Sequence, residues 1–208
     1  MTNPWLQIPA SDYEGHMGSP KVAQLTLLAQ TFKEALNKHE SKSIALLGCA
    51  TGNGLEYINN NVTRRITAID INPEYLKILR QRFEDSIPGL EIVEADLEKC
   101  TIENQAYSLV FAGLIFEYLE PRALLNKIVS CLCPGGVMVS ILQLPAQHLA
   151  RVSETPYASL KTLNSIMKLI SPQQFESMAN EAGLREIEAN TVTLESGKPF
   201  YIGTYAKI

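Results

Sequence analysis

The sequence has no Cys-x-x-Cys pair, and its 208 residues contain only four cysteines, at positions 49, 100, 131 and 133. A disulfide framework does not fit a chain of this size and apolar content. Cys131 and Cys133, followed at once by Pro134, read as small buried side chains rather than as half of a zinc site. No apolar run reaches the ~18–20 residues that span a bilayer, so no membrane partner is expected. The opening stretch, MTNPWLQIPASDYEGHM, has no cationic segment leading into an apolar one, so no secretory signal is expected and the cytoplasmic compartment is the default. There is no excess of positive charge: 18 basic against 22 acidic residues leave a net charge of −4. That balance argues against a nucleic-acid partner. Repeats and low-complexity tracts are absent as well.

What is present is enough for a core. Hydrophobic residues make up 46% and charged residues 19%, which suits one α/β domain over 1–208. Strand-like and helix-like patterns alternate. Ser19-Pro20 reads as the start of an amphipathic helix to about residue 38. Strands are expected at 42–48, 65–70, 90–95, 107–112 and 137–142. Helices are expected from Gly54, from Asn72-Pro73, over 121–132, and from the capping box Ser171-Pro172-Gln173-Gln174 to Gly183. Pro134-Gly135-Gly136 reads as the turn between the 121–132 helix and the fifth strand. Segments 185–194 and 199–207 are strands only four residues apart, too close for a helical crossover, and so must pair antiparallel. The expected fold is α/β: a doubly wound, Rossmann-like, seven-stranded mixed sheet of five parallel strands plus a C-terminal antiparallel hairpin, with helices on both faces.

The chemistry is concentrated in IALLGCATGNG, where a strand runs into a turn carrying Gly48, Cys49, Ala50, Gly52 and Gly54. Small residues let a ligand approach the backbone, and a following helix start would offer N–H groups to its polar end. The turn lacks the Lys of a P-loop, and Gly48-x-Ala50-x-Gly52-x-Gly54 is not the dinucleotide spacing. Asp70 ends the second strand, where a carboxylate can accept both hydroxyls of a ribose. Asp96, after the third strand, is placed to accept from an exocyclic amine, with Ile71 and Leu97 flanking a flat ring. A ribose and an amino-purine together make an adenosyl group.

Five stretches, IALLGCATGNG, ITAIDINPEYL, EIVEADLE, YSLVFAGLIFEYL and LCPGGVMVSIL, resemble in order those of class I S-adenosylmethionine-dependent methyltransferases of small-molecule type. The resemblance covers about 44–142. It implies S-adenosyl-L-methionine as cofactor, with Gly48, Cys49, Ala50 and Gly52 lining its methionine and ribose, and Asp70 on the ribose hydroxyls. Ile71 and Leu97 would flank adenine, Asp96 would meet its amine, and Ala112 and Gly113 would face the sulfonium. No metal is implied. Three positions depart from the family: Leu46 stands where an acid is common, Ala50 where a glycine is usual, and Ser108 where an aspartate is frequent. Ala50 is expected to tolerate its methyl only at a negative φ.

The acceptor must be sought elsewhere. The expected lid and cap are 1–43 and 143–170, the latter being longer than ordinary βα connections. Tyr13, His16 and Glu117 are the candidate proton-handling groups for methyl transfer to an O or N of a small molecule. The apolar residues of 143–170 suit such a substrate, core packing or a homodimer contact equally. Two other functions are weighed: an S-adenosylmethionine-binding protein without catalysis, motivated by the three departures, and an NAD(P)-dependent oxidoreductase, which needs a different glycine spacing.

Overall fold

The computed structural model describes residues 3–208, so Met1 and Thr2 of the expected lid segment lie outside the described residues. One seven-stranded sheet runs in the order β3-β2-β1-β4-β5-β7-β6. Its parallel part is β1 (Ser43–Leu47), β2 (Arg65–Asp70), β3 (Leu90–Glu94), β4 (Tyr107–Gly113) and β5 (Leu132–Gln143). The hairpin of β6 (Leu184–Thr193) and β7 (Pro199–Lys207) completes it, with β7 antiparallel to β5. The strand order reverses between β1 and β4, which leaves a crevice at their carboxyl ends.

Local sequence explains the helix boundaries. The Asn72 side chain caps α3 (Pro73–Phe83), and that of Glu120 caps α4 (Pro121–Cys131). Ser171 and Gln174 cap each other's backbone at α5 (Pro172–Ala182), which ends on Gly183 at φ 98°. Two apolar layers sandwich the sheet. Val110, Ala112 and Met138 pack toward Leu125 and Ile128 of α4 and Phe175 of α5. Ile44, Leu46, Leu109 and Phe111 pack toward Phe32, Leu76 and Leu79 on the opposite face.

The structure departs from the sequence pattern in three places. The segment before the sheet holds its own helix, α1 (Ala10–Gly18), and α2 (Gln24–His39) starts four residues later than the Ser19-Pro20 signal. Ala23, at φ 53°, separates Pro20 from the helix. The helix expected from Gly54 is only a single 3-10 turn, Leu55–Tyr57. The Asn59-Asn60-Asn61 run that follows is a poor helix former, and Gly54 lies against Ala29 and Phe32 of α2. The face that a longer helix would cover is therefore already filled by α2. Finally, β5 begins at Leu132, and Pro134-Gly135-Gly136 lies within the strand beside a register shift on β4 rather than in a turn. Among the described residues no helix is long and apolar enough to cross a membrane.

Candidate functional site

At the carboxyl edge of β1, β2, β3 and β4 lies a cavity of about 430 Å³. Its floor is the β1 turn: Gly48 and Cys49 donate N–H to the Ile69 carbonyl at 2.9 and 3.1 Å. Asp70 organises the turn. One carboxylate oxygen accepts from the Ala50 N–H and the other from the Asn72 N–H, both at 2.9 Å. Burial pushes the Asp70 carboxyl above its ordinary pKa, and the N–H groups of Asn72, Ala50 and Ile71 pull it back toward the ionised form. These bonds leave acceptor capacity on the carboxylate, and Asp70 lies on the cavity wall.

Asp96 is also on the wall, but its carboxylate is shared. It accepts from Lys99 Nζ at 2.7 Å and from the Glu98 N–H at 3.0 Å. The Lys99 bond is the main reason its pKa is lowered, so it stays ionised. Ile71, Leu97 and Gly113 line the same wall. Backbone strain gathers here too. Among the described residues six non-glycine residues have positive φ, and two of them, Ala50 (45°) and Leu114 (55°), line the cavity. Ala50 thus carries its methyl at a positive φ, contrary to the sequence expectation. The bond from its N–H to Asp70 holds it there.

The N-terminal segment forms the roof. Trp5, Tyr13, His16 and Met17 face the cavity beside Leu160, Leu163 and Met167 of the 143–170 segment. Polar bonds clamp it at both ends. Asn72 Nδ2 donates to the carbonyls of Trp5 (2.8 Å) and Ile8 (3.4 Å). Glu14 accepts from Thr51 and pairs with Arg82. On the far side, Ser159 donates to Asp12, and His16 Nδ1 lies 2.8 Å from the Thr155 hydroxyl. Gly15 permits the close docking: a Cβ there would sit 2.2 Å from the Tyr157 ring. Nothing in the spacing of DYEGHM marks a lid beyond the aromatic and polar mix that singled out Tyr13 and His16.

Asn72 does more than cap a helix, the one role its sequence context signals. Its oxygen accepts from Glu74 N and Tyr75 N while its nitrogen holds the roof. Asn72→Ala should cost roughly 2–4 kcal/mol, combining a lost cap with unsatisfied carbonyls. Asn72→Asp keeps the cap and should cost about half as much, while both variants speed proteolysis within 3–18. Chemical denaturation and limited proteolysis measure the two effects.

The structure places the other candidates as follows. Tyr13 stacks on Tyr75 with ring centres 5.2 Å apart. Its phenol is pushed up, chiefly by burial and then by Asp70, so it stays protonated. His16 is lowered by burial and by the Lys198 charge, which keeps the ring neutral. Three candidates are not on the wall. Gly52 faces α3, where a Cβ would come within 2.8 Å of the Phe83 ring. Ala112 is fully buried with the α4 layer, because residues alternate along β4 and it is Phe111 and Gly113 that line the cavity. Glu117 lies behind Gln143, with one oxygen accepting the Gln143 N–H at 2.6 Å and the other lacking a partner. Leu46 does line the cavity, whereas Ser108 exchanges hydrogen bonds with Ser43 at the opposite end of the strands.

Comparison with known proteins bears on the fold. Residues 44–136 match the family model described as a methyltransferase domain. Among curated proteins, carboxy-S-adenosyl-L-methionine synthase of Klebsiella pneumoniae subsp. pneumoniae is 29% identical over 126 residues, covering 57% of this chain and 48% of that protein. The enzyme of the same name from Salmonella paratyphi C aligns over the same shares. The chain therefore spans about half the length of the curated relatives it matches. Three solved structures share the fold. N-methyltransferase NodS from Bradyrhizobium japonicum WM9, in complex with S-adenosyl-L-homocysteine, superposes with TM-score 0.68 at 16% identity, over 88% of this chain and 87% of that one. An S-adenosylmethionine dependent methyltransferase from Mesorhizobium loti gives 0.69 at 15%, over 93% and 100%. Geranyl diphosphate C-methyltransferase from Streptomyces coelicolor gives 0.69 at 11%, over 90% and 82%. Residues 44–136 thus resemble a methyltransferase domain, and the chain has the class I fold seen in these S-adenosylmethionine-dependent methyltransferase structures.

Proposed function

We propose that the chain binds S-adenosyl-L-methionine and transfers its methyl group to an O or N of a small molecule. The observation that carries this reading is one cavity in which the strand-end carboxylates Asp70 and Asp96 meet an aromatic roof. The residues fit such a ligand. Asp70 has lone pairs free for ribose hydroxyls, and Asp96 can accept from the adenine amine. Ile71 and Leu97 offer apolar surface to a ring. Trp5, Tyr13 and Tyr118 present aromatic surface suited to a sulfonium cation.

The ligand supplies an electrophilic methyl when bound, and the protein's share of the work is then alignment and exclusion of water. The roof does the excluding: Ile8 and Tyr13 are buried against Leu160 and Leu163. Tyr13, held protonated, orients an acceptor by donating a hydrogen bond. His16, held neutral, is the group able to take a proton from an acceptor O–H or N–H. Glu117 supports the wall through the Gln143 backbone and does not reach the acceptor.

Two measurements test this. Calorimetric titration with S-adenosylhomocysteine should show a single site, and no binding at millimolar ligand would refute the reading. On an acceptor that turns over, His16→Gln should lower kcat about 100-fold, within the usual range for a lost general base. Tyr13→Phe should lower it less, and an unchanged kcat in His16→Gln would remove the base assignment. The name of the curated relatives motivates a second reading, in which the sulfonium ligand itself is remade. Mass spectrometry separates the two: S-adenosylhomocysteine is released in methyl transfer, whereas a heavier adenosyl product marks the alternative. Binding without either product would leave a non-catalytic binder.

A further inference from the structure

Beside the main cavity lies a second cleft of about 520 Å³, between the start of the 143–170 segment and the turn joining β6 to β7. The two share Gln143 and Arg151 as wall residues. Three cations line the cleft, Arg151, Lys168 and Lys198, and no acidic residue does. Among the described residues none of the three forms an ion pair.

Lys198 is the informative one. It is 4% exposed, and its ammonium has one partner, the Arg151 carbonyl at 2.7 Å. A carbonyl fixes the ammonium in place but does not neutralise it, and a buried charge without a counter-ion is costly. Burial accordingly lowers its pKa to about 8. Arg151 is held in turn: its carbonyl also accepts from Gln143 Nε2 at 2.9 Å, and its Nη1 donates to the Met167 carbonyl at 2.9 Å. The same Lys198 charge reaches His16 and helps keep that ring neutral, so the cleft's field extends to the roof of the main cavity.

We propose that this cleft holds the anionic group, a carboxylate or a phosphate, of the methyl acceptor, whose remaining body passes Gln143 into the apolar half of the main cavity. The proposal rests on the methyltransferase reading and names the acceptor class within it. An anion here supplies the counter-ion that Lys198 lacks, and the planar guanidinium of Arg151 suits either oxyanion. Leu144 and Leu149 on the cleft wall accommodate an apolar stem.

The test uses the full chain saturated with S-adenosylhomocysteine and titrated calorimetrically with hexanoate, hexyl phosphate and hexanol. At least one of the two anions should bind about tenfold more tightly than hexanol, and the better arm tells carboxylate from phosphate. Lys168→Gln and Arg151→Gln, both at exposed positions, should each weaken that anion about fivefold, the size of one partly exposed ionic contact. Lys198→Met should weaken it more, and if that variant does not fold the two exposed ones still decide. Hexanol binding as tightly as both anions, or variants binding like the wild type, would overturn the proposal. So would an acceptor panel in which only neutral alcohols and amines are methylated. Failure of the wild type to bind S-adenosylhomocysteine would instead sink the methyltransferase reading itself.

Discussion

Replacing Asp70 by alanine should lower the affinity for S-adenosylhomocysteine at least about 100-fold, or roughly 3 kcal/mol, and should destabilise the fold as well. Two losses combine. The first is the acceptor for the ribose hydroxyls. The second is the organiser of the turn, because the Ala50 and Asn72 N–H groups both end on this carboxylate. Each buried donor left unsatisfied costs about 1–3 kcal/mol. Against this, the charge itself is held at a cost, as the upward push of burial on its pKa shows. The net destabilisation should therefore be roughly 2–4 kcal/mol. Without its bond to Asp70, Ala50 has no reason to keep φ at 45°, so the turn should relax away from the ligand. Asp70→Asn separates the roles, since its one carbonyl can satisfy only one of the two donors in the same way. Calorimetry gives the affinity and urea unfolding gives the stability. A variant that loses stability but binds S-adenosylhomocysteine like the wild type would show that Asp70 only holds the turn.

The sheet was legible because its signals are local. Apolar runs bounded by turns, Asn72-Pro73, the Ser171–Gln174 capping box and the four-residue gap before the last strand each fix one element, and together they dictate the topology. The site was legible where a residue's position follows from the strand end it occupies, as for Asp70, Ile71, Asp96 and Leu97. Legibility failed where a side chain's direction depends on packing. Ala112 and Gly113 are adjacent on β4, so only one could face the cavity, and the sequence does not say which. Gly52 looked like part of the ligand cradle, yet it is small because Phe83 and Leu79 press on it. The roof was invisible to periodicity because α1 is short and weakly amphipathic, and long-range bonds from Asn72, Arg82 and Thr51 hold it.

Glu117 leads to the second large effect, a pH dependence of stability that one substitution removes. Its carboxyl is buried, with one oxygen accepting the Gln143 N–H and the other unpartnered. Burial raises its pKa from the ordinary 4.5 to about 7. Between those values the folded chain keeps a proton that the unfolded chain has lost. Stability must then fall as pH rises through this window, by about 1.4 kcal/mol per unit at most. The contribution is fully present below about pH 4.5 and fully lost above about pH 7, which amounts to roughly 3 kcal/mol across the window. Glu117→Gln keeps an oxygen for the Gln143 N–H and stays neutral at every pH. It should lie within about 1 kcal/mol of the wild type near pH 5 and exceed it by up to roughly 3 kcal/mol at pH 8. Other groups with shifted pKa values, such as His16 and Asp70, are common to both proteins and cancel in the difference. Urea unfolding of the pair from pH 5 to pH 8 measures that difference directly. Parallel curves would mean that Glu117 ionises normally, and that its second oxygen reaches solvent or a cation once the chain is in solution.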